Sequence, residues 1–231
     1  MTRTLSARPR ALLFDFGGTL DAEGVPWKER FRRLWREEVG AVDPEAFDNA
    51  FYDADDALVG TIAPEAPLPE TAHRLAAGLA QRLSPEDAAA PDRVASRFCA
   101  EAAACLCASS ELLRELAGRY RLGVVSNFYG NLSAVCSEAG LAPLLSVAID
   151  SAAIGVEKPD PRIFEAALSA LGVPSSEALF VGDSPARDMA GARGVGMRHV
   201  LLAGGGAPPF RACCPGDPVI RRLADLKELL P

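Results

Sequence analysis

Four short segments carry side chains that can do chemistry. They are Asp15-Phe16-Gly17-Gly18-Thr19-Leu20, Ser126-Asn127, Glu157-Lys158-Pro159-Asp160, and Gly182-Asp183-Ser184 with Asp188 five residues past Asp183. Each has an ordinary explanation on its own. An aspartate before glycines is commonly a turn former, a Ser-Asn pair before a helix is commonly an N-cap, and a lysine before proline is commonly a solvated loop residue. Brought together they are three carboxylates, an ammonium, a hydroxyl and glycine-rich backbone, which is the equipment of a polar catalytic or binding site. Whether they meet depends on the elements that carry them.

Residues 11–16 form an apolar run too short for a helix and ended by Gly17-Gly18, which predicts a buried strand. Residues 122–125, 145–149, 178–181 and 199–202 read the same way. Helical spacing covers 110–117, 132–139, 161–171 and 186–193, with Gly118, Gly140, Gly172 and Gly194 as terminators. Pro161 suits a first helical turn. Strand and helix in alternation predict parallel βαβ units with helices on both faces of a sheet. In such sheets ligands bind beyond the carboxyl ends of the strands, where all four segments fall.

One region breaks the alternation. From about residue 24 to 107 the patterns are helical and no strand is convincing. Trp27, Phe31, Leu34, Trp35 and Val39 form an apolar stripe, set against Lys28, Arg30, Arg32, Arg33 and Arg36. Residues 45–58, 70–83 and 92–106 predict further helices. The tail, 219–230, predicts an amphipathic helix closing the core.

A chain of 231 residues can build one large core with a modest insert. The net charge of −7, with no long basic tract, argues against general nucleic-acid binding but not against a small anionic substrate. No run approaches the ~20 apolar residues of a membrane span, and the start has no signal-like apolar region, so the expected location is the cytoplasm. The six cysteines (99, 105, 107, 136, 213 and 214) form no zinc-type pattern and are expected as free thiols. Nothing in the sequence specifies an oligomeric state.

FDFGGTL, VVSNF, VEKPDPRIF and VGDSPARD, in this order, resemble the four motifs of haloacid dehalogenase-like hydrolases. The resemblance covers residues 10–21 and 108–231, and the insert between the first two motifs resembles the helical cap of the family's subclass I. It implies a Rossmann-like parallel-sheet core from 1–21 and 108–231, with a helical cap from 22–107. It further implies Asp15 as a nucleophile forming an aspartyl-phosphate, and Mg²⁺ held by Asp15, Asp183 and the Gly17 carbonyl, with Asp188 in the metal set, binding metal-bound water or steadying the site. Lys158 would offset negative charge. Ser126, the Asn127 amide and Gly18 N–H would donate to the transferring group, with Thr19 beside them.

The family's phosphatases carry a second aspartate two residues past the nucleophile, as acid and then base. Here that position is Gly17, and Arg187 replaces the usual asparagine before Asp188. Three readings follow. A phosphatase for a small phosphate ester would turn over slowly, use a good leaving group, or borrow an acid, with Asp21, Glu23 and His73 as candidates. A carbon–halogen hydrolase would not keep Asp183 and would have a hydroxyl near Phe164. A carbon–phosphorus hydrolase would need a cap lysine, and Lys28 is the one available, at a spacing that looks too short. A descendant that binds a phosphorylated ligand without turnover is the third.

Overall fold

The structure, a computed structural model, describes residues 8–204 and 217–231. Six strands form one parallel sheet: β1 (Ala11–Phe14), β2 (Arg121–Ser126), β3 (Val147–Asp150), β4 (Ala178–Gly182), β5 (Arg198–Leu202) and β6 (Val219–Ile220), in the order β3-β2-β1-β4-β5-β6. β1 lies between β2 and β4, with Leu13 opposite Gly123 on one side and Phe180 on the other. Its alternate side chains enter two cores: Leu12 and Phe14 pack on one face, Ala11 and Leu13 on the opposite face. A strand covered on both sides must be apolar at every position, which is why residues 11–14 show no alternation.

Between β1 and β2 come four helices: α1 (Trp27–Glu38), α2 (Pro44–Asp56), α3 (Leu68–Leu83) and α4 (Ala90–Ala117). The apolar stripe of α1 is buried as expected at Trp27, Phe31, Leu34 and Trp35. Arg30, expected on the solvated face, is buried instead. It pairs at 2.7 Å with Asp21, which has no exposed surface, and donates to the Phe98 carbonyl. A buried carboxylate without a counter-charge is costly, and the arginine is drawn in to supply one. Two expected helices, 92–106 and 110–117, are the single helix α4. Residues 107–109 contain no glycine or proline to interrupt it, and Ser109 Oγ donates at 2.7 Å to the Leu20 carbonyl.

The remaining helices are α5 (Leu132–Glu138), α6 (Ser151–Ile154), α7 (Pro161–Leu171), α8 (Ala190–Gly194) and α9 (Leu226–Leu229). The tail corrects the sequence reading. Val219 and Ile220 extend the sheet beside β5, and the helical part begins only after Arg222. Ile220, Leu223, Leu226 and Leu229 are all buried, so their three-residue spacing reflects a shared core side rather than one helix. Among the described residues no helix is long and apolar enough to cross a membrane. Cys99, Cys105, Cys107 and Cys136 are free, and burial pushes the Cys136 thiol up to about 12. Cys213 and Cys214 lie outside the described residues.

Candidate active site

Asp15 follows β1 directly, in extended conformation, and its N–H is held by the Val181 carbonyl of β4 at 2.9 Å. The chain then makes a wide kinked turn over Phe16–Leu20, with Gly18 at φ 93°. A Cβ on Gly18 would lie 2.5 Å from Asp183 Oδ2. Both the positive φ and this close approach demand glycine. A similar constraint acts under β4, where a Cβ on Gly182 would lie 2.3 Å from Asp188 Oδ2. Two glycines thus give two carboxylates the room to approach the end of β1.

Asp15, Asp183 and Asp188 each bring a carboxylate oxygen to within 4.8 Å of the others, and all three are buried. Lys158 Nζ donates to Asp15 Oδ1 at 2.6 Å and to Asp188 Oδ1 at 2.7 Å, while Ser126 Oγ donates to Asp15 Oδ1 at 2.9 Å. Burial pushes the Asp183 carboxyl well above the ordinary carboxylate range, reinforced by Asp15 and Asp188. Burial likewise raises Asp188 to about 6, against the pull of Lys158. Burial alone would lower Lys158, but its contacts with Asp15 and Asp188 outweigh it and raise the ammonium's pKa. Three buried carboxylates facing one ammonium, with oxygens converging, fit a hard divalent cation.

The site opens into a cleft of about 370 Å³. Asp15, Gly17, Ser126, Asn127, Lys158, Asp183 and Asp188 line it, whereas Gly18 and Thr19 do not. Thr19 Oγ1 instead donates to Asp183 Oδ1 at 3.3 Å, and the Gly18 N–H, expected on a ligand, is taken by Asp21 Oδ1 at 2.7 Å. The Asn127 side chain also turns inward. It accepts from Lys158 N–H at 2.7 Å and donates to the Lys158 carbonyl at 3.1 Å, so it anchors the lysine's backbone.

None of the three expected acid lenders reaches the cleft. Asp21 is enclosed by Gly18, Trp27 and Arg30, Glu23 accepts from Leu223 N–H, and His73 pairs with Asp92. The sequence reading missed Trp27, Asp55 and Tyr129, which do line it. Trp27 Nε1 donates to Asp21 Oδ2 at 2.7 Å, and this atom lies 3.2 Å from where a Gly17 Cβ would stand. The indole therefore covers the face of Gly17. The signal for Tyr129 was its place immediately after the Ser126 motif. Asp55 had none, being one of several acids in α2.

A carboxylate at the end of a central parallel strand, gripped by a lysine and a serine beside two further acids, is an arrangement suited to hydrolytic chemistry. A family model described as haloacid dehalogenase-like hydrolase matches residues 9–196, and the chain belongs to that family. The phosphoserine phosphatase of Thermus thermophilus is 42% identical over 91 residues, 39% of this chain and 35% of the relative. Haloacid dehalogenase-like hydrolase domain-containing protein 3 of Bos taurus is 40% identical over 111 residues, 48% of this chain and 44% of the relative. The chain thus spans less than half the length of these curated relatives. A dehalogenase solved with an intermediate complex superposes with TM-score 0.67 at 23% identity, covering 98% of this chain and 99% of that one; this likeness is one of fold.

Proposed function

We propose that this hydrolase is a Mg²⁺-dependent phosphatase acting on a small phosphate ester, with Asp15 as nucleophile. The observation that carries the reading is the Asp15 carboxylate held by Lys158 and Ser126 beside Asp183 and Asp188. In this reading residues 22–107 cap a core of 1–21 and 108–231, and the cleft lies between them. Asp15, Asp183 and the Gly17 carbonyl would hold Mg²⁺, with Asp188 steadying them. When bound, the ion neutralises charge between nucleophile and phosphoryl group. Ser126 and Lys158 fix the Asp15 carboxylate and take up charge on the equatorial oxygens. Asn127 positions Lys158, and Thr19 positions Asp183. Purified protein with Mg²⁺ is expected to release phosphate from aryl, acyl and alkyl phosphates, and Asp15→Asn is expected to abolish it. Equal rates in the two proteins would end this reading.

The alternatives fare less well on particular residues. Phe164 packs against Phe180 in the core, with no hydroxyl to offer a halide, and Asp183 is retained. Lys28 does line the cleft, but Asp48 at 2.8 Å and the Tyr52 hydroxyl outweigh its partial burial and raise its pKa. A firmly protonated amine is a poor imine former. The reading as a phosphate-binding protein without turnover draws on the covered face of Gly17.

A further inference from the structure

An alkyl phosphate cannot lose its leaving group cheaply unless a proton reaches the departing oxygen, and Gly17 has no side chain to bring one. Five acids line the cleft among the described residues: Asp15, Asp183 and Asp188 at its floor, then Glu29 and Asp55. Glu29 is half exposed and paired with Arg32. Asp55 sits differently. It projects from the last turn of α2 and accepts a short hydrogen bond on Oδ1 from the Tyr129 hydroxyl, while Oδ2 makes no hydrogen bond among the described residues. The Tyr129 ring lies 6.2 Å from the Trp27 ring, and Trp27 covers Gly17. The Asp55 carboxyl, held by Tyr129, thus lines the same cleft as the vacant side-chain position that Trp27 covers. Burial holds it above the ordinary carboxylate range, helped by Asp56 and Glu157 and opposed by the Tyr129 hydrogen bond and Arg187. Lys28 of α1 is the remaining charged group lining that part of the cleft.

Resting on the phosphatase reading, we propose that Asp55 is the acid that protonates the leaving oxygen, taking over from Gly17. In the first displacement an Asp15 oxygen bonds to phosphorus while the bond to the leaving oxygen breaks with its electron pair. The Asp55 proton passes to that oxygen, which departs as the alcohol, leaving Asp55 as carboxylate. In the second displacement water attacks phosphorus and returns a proton to Asp55. The bond from phosphorus to Asp15 breaks, giving inorganic phosphate and the free Asp15 carboxylate. Tyr129 is a positioning residue, fixing Asp55 through Oδ1.

The test compares leaving groups in single turnovers, with the Mg²⁺-loaded enzyme in excess. Asp55→Asn keeps the shape of the side chain and an acceptor for Tyr129. It is expected to slow alcohol release from an alkyl phosphate by ~10²-fold or more, and p-nitrophenol release from p-nitrophenyl phosphate by less than about threefold, since nitrophenolate leaves without a proton. Tyr129→Phe retains Asp55 but removes the hydrogen bond that favours its charged form, so the alkaline limb of alkyl-phosphate cleavage should move to higher pH. Equal losses on both substrates, no loss on the alkyl ester, or a limb unmoved in Tyr129→Phe would overturn the assignment while leaving the phosphatase reading standing. That reading falls separately, if Asp15→Asn turns over like the parent protein.

Discussion

At Gly17 the backbone angles, φ −75° and ψ 115°, suit any residue, so conformation does not explain the glycine. Space does. A Cβ there would press on Trp27 Nε1 at 3.2 Å, and Asp21 pins that indole in place. Gly17→Asp alone is therefore expected to lower stability by about 1–3 kcal/mol through overpacking, with no gain in kcat on alkyl phosphates. Pairing it with Trp27→Phe relieves the nearest contact but strips buried Asp21 of its indole donor, so the double variant is expected to melt no higher than Gly17→Asp alone; thermal melts and steady-state rates of the two variants check both points. The acid cluster makes a second prediction. Burial lifts the Asp188 carboxyl to about 6, well above the ordinary carboxylate range. A carboxyl that binds its proton more tightly when folded destabilises the fold as pH rises from the unfolded value through the folded one. Metal-free protein should thus lose stability as pH climbs from about 4 to about 6. Added Mg²⁺ should raise Tm more at pH ~7.5 than at pH ~5, since the Asp183 carboxyl, which burial also raises, must give up its proton to hold the ion. A rise that is the same at both would count against these ligands.

Individual elements show which sequence signals are decisive. The five strands expected from the sequence all form, each end within about two residues of its expected place, because a short run that is apolar at every position suits a parallel strand covered on both faces. The spacing of Ile220, Leu223, Leu226 and Leu229 predicts a helix where β6 forms. What decides it is the open edge of β5, which no local pattern reveals. Helix α1 shows the same blindness to partners. Its apolar stripe was legible, but Arg30 looked like one more solvated arginine because Asp21 and Phe98 meet it only in three dimensions. Arg30→Met should cost about 3–5 kcal/mol, since it strands the Asp21 carboxylate. Asp21→Asn with Arg30→Met should cost clearly less than either change would suggest, and a double-mutant cycle by chemical denaturation measures the difference.

For the molecule as a whole, the strand order places β1 between β2 and β4, where the connections switch direction. Asp15, Ser126 and Asp183 follow or end three neighbouring strands, so their meeting is a property of the sheet; this is why ordered motifs at strand ends could reveal it. The roof of the cleft was not legible in the same way. Trp27 and Asp55 reach it from a helical insert whose placement depends on tertiary packing, and a stripe of apolar residues reads alike whether it faces a core or a cleft.

Helix α4 has a mechanical consequence. At 28 residues it is roughly 42 Å long, and it runs unbroken from the insert into the strand it feeds. The insert is therefore joined to the sheet by a stiff rod on one side and, on the other, by the short stretch ahead of Trp27, itself stapled through Asp21. A stiff rod and a short tether leave the insert fewer ways to move than two flexible loops would. In the phosphatase reading, ligand exchange would then depend on side chains lining the cleft, of which Tyr52 and Arg187 are exposed.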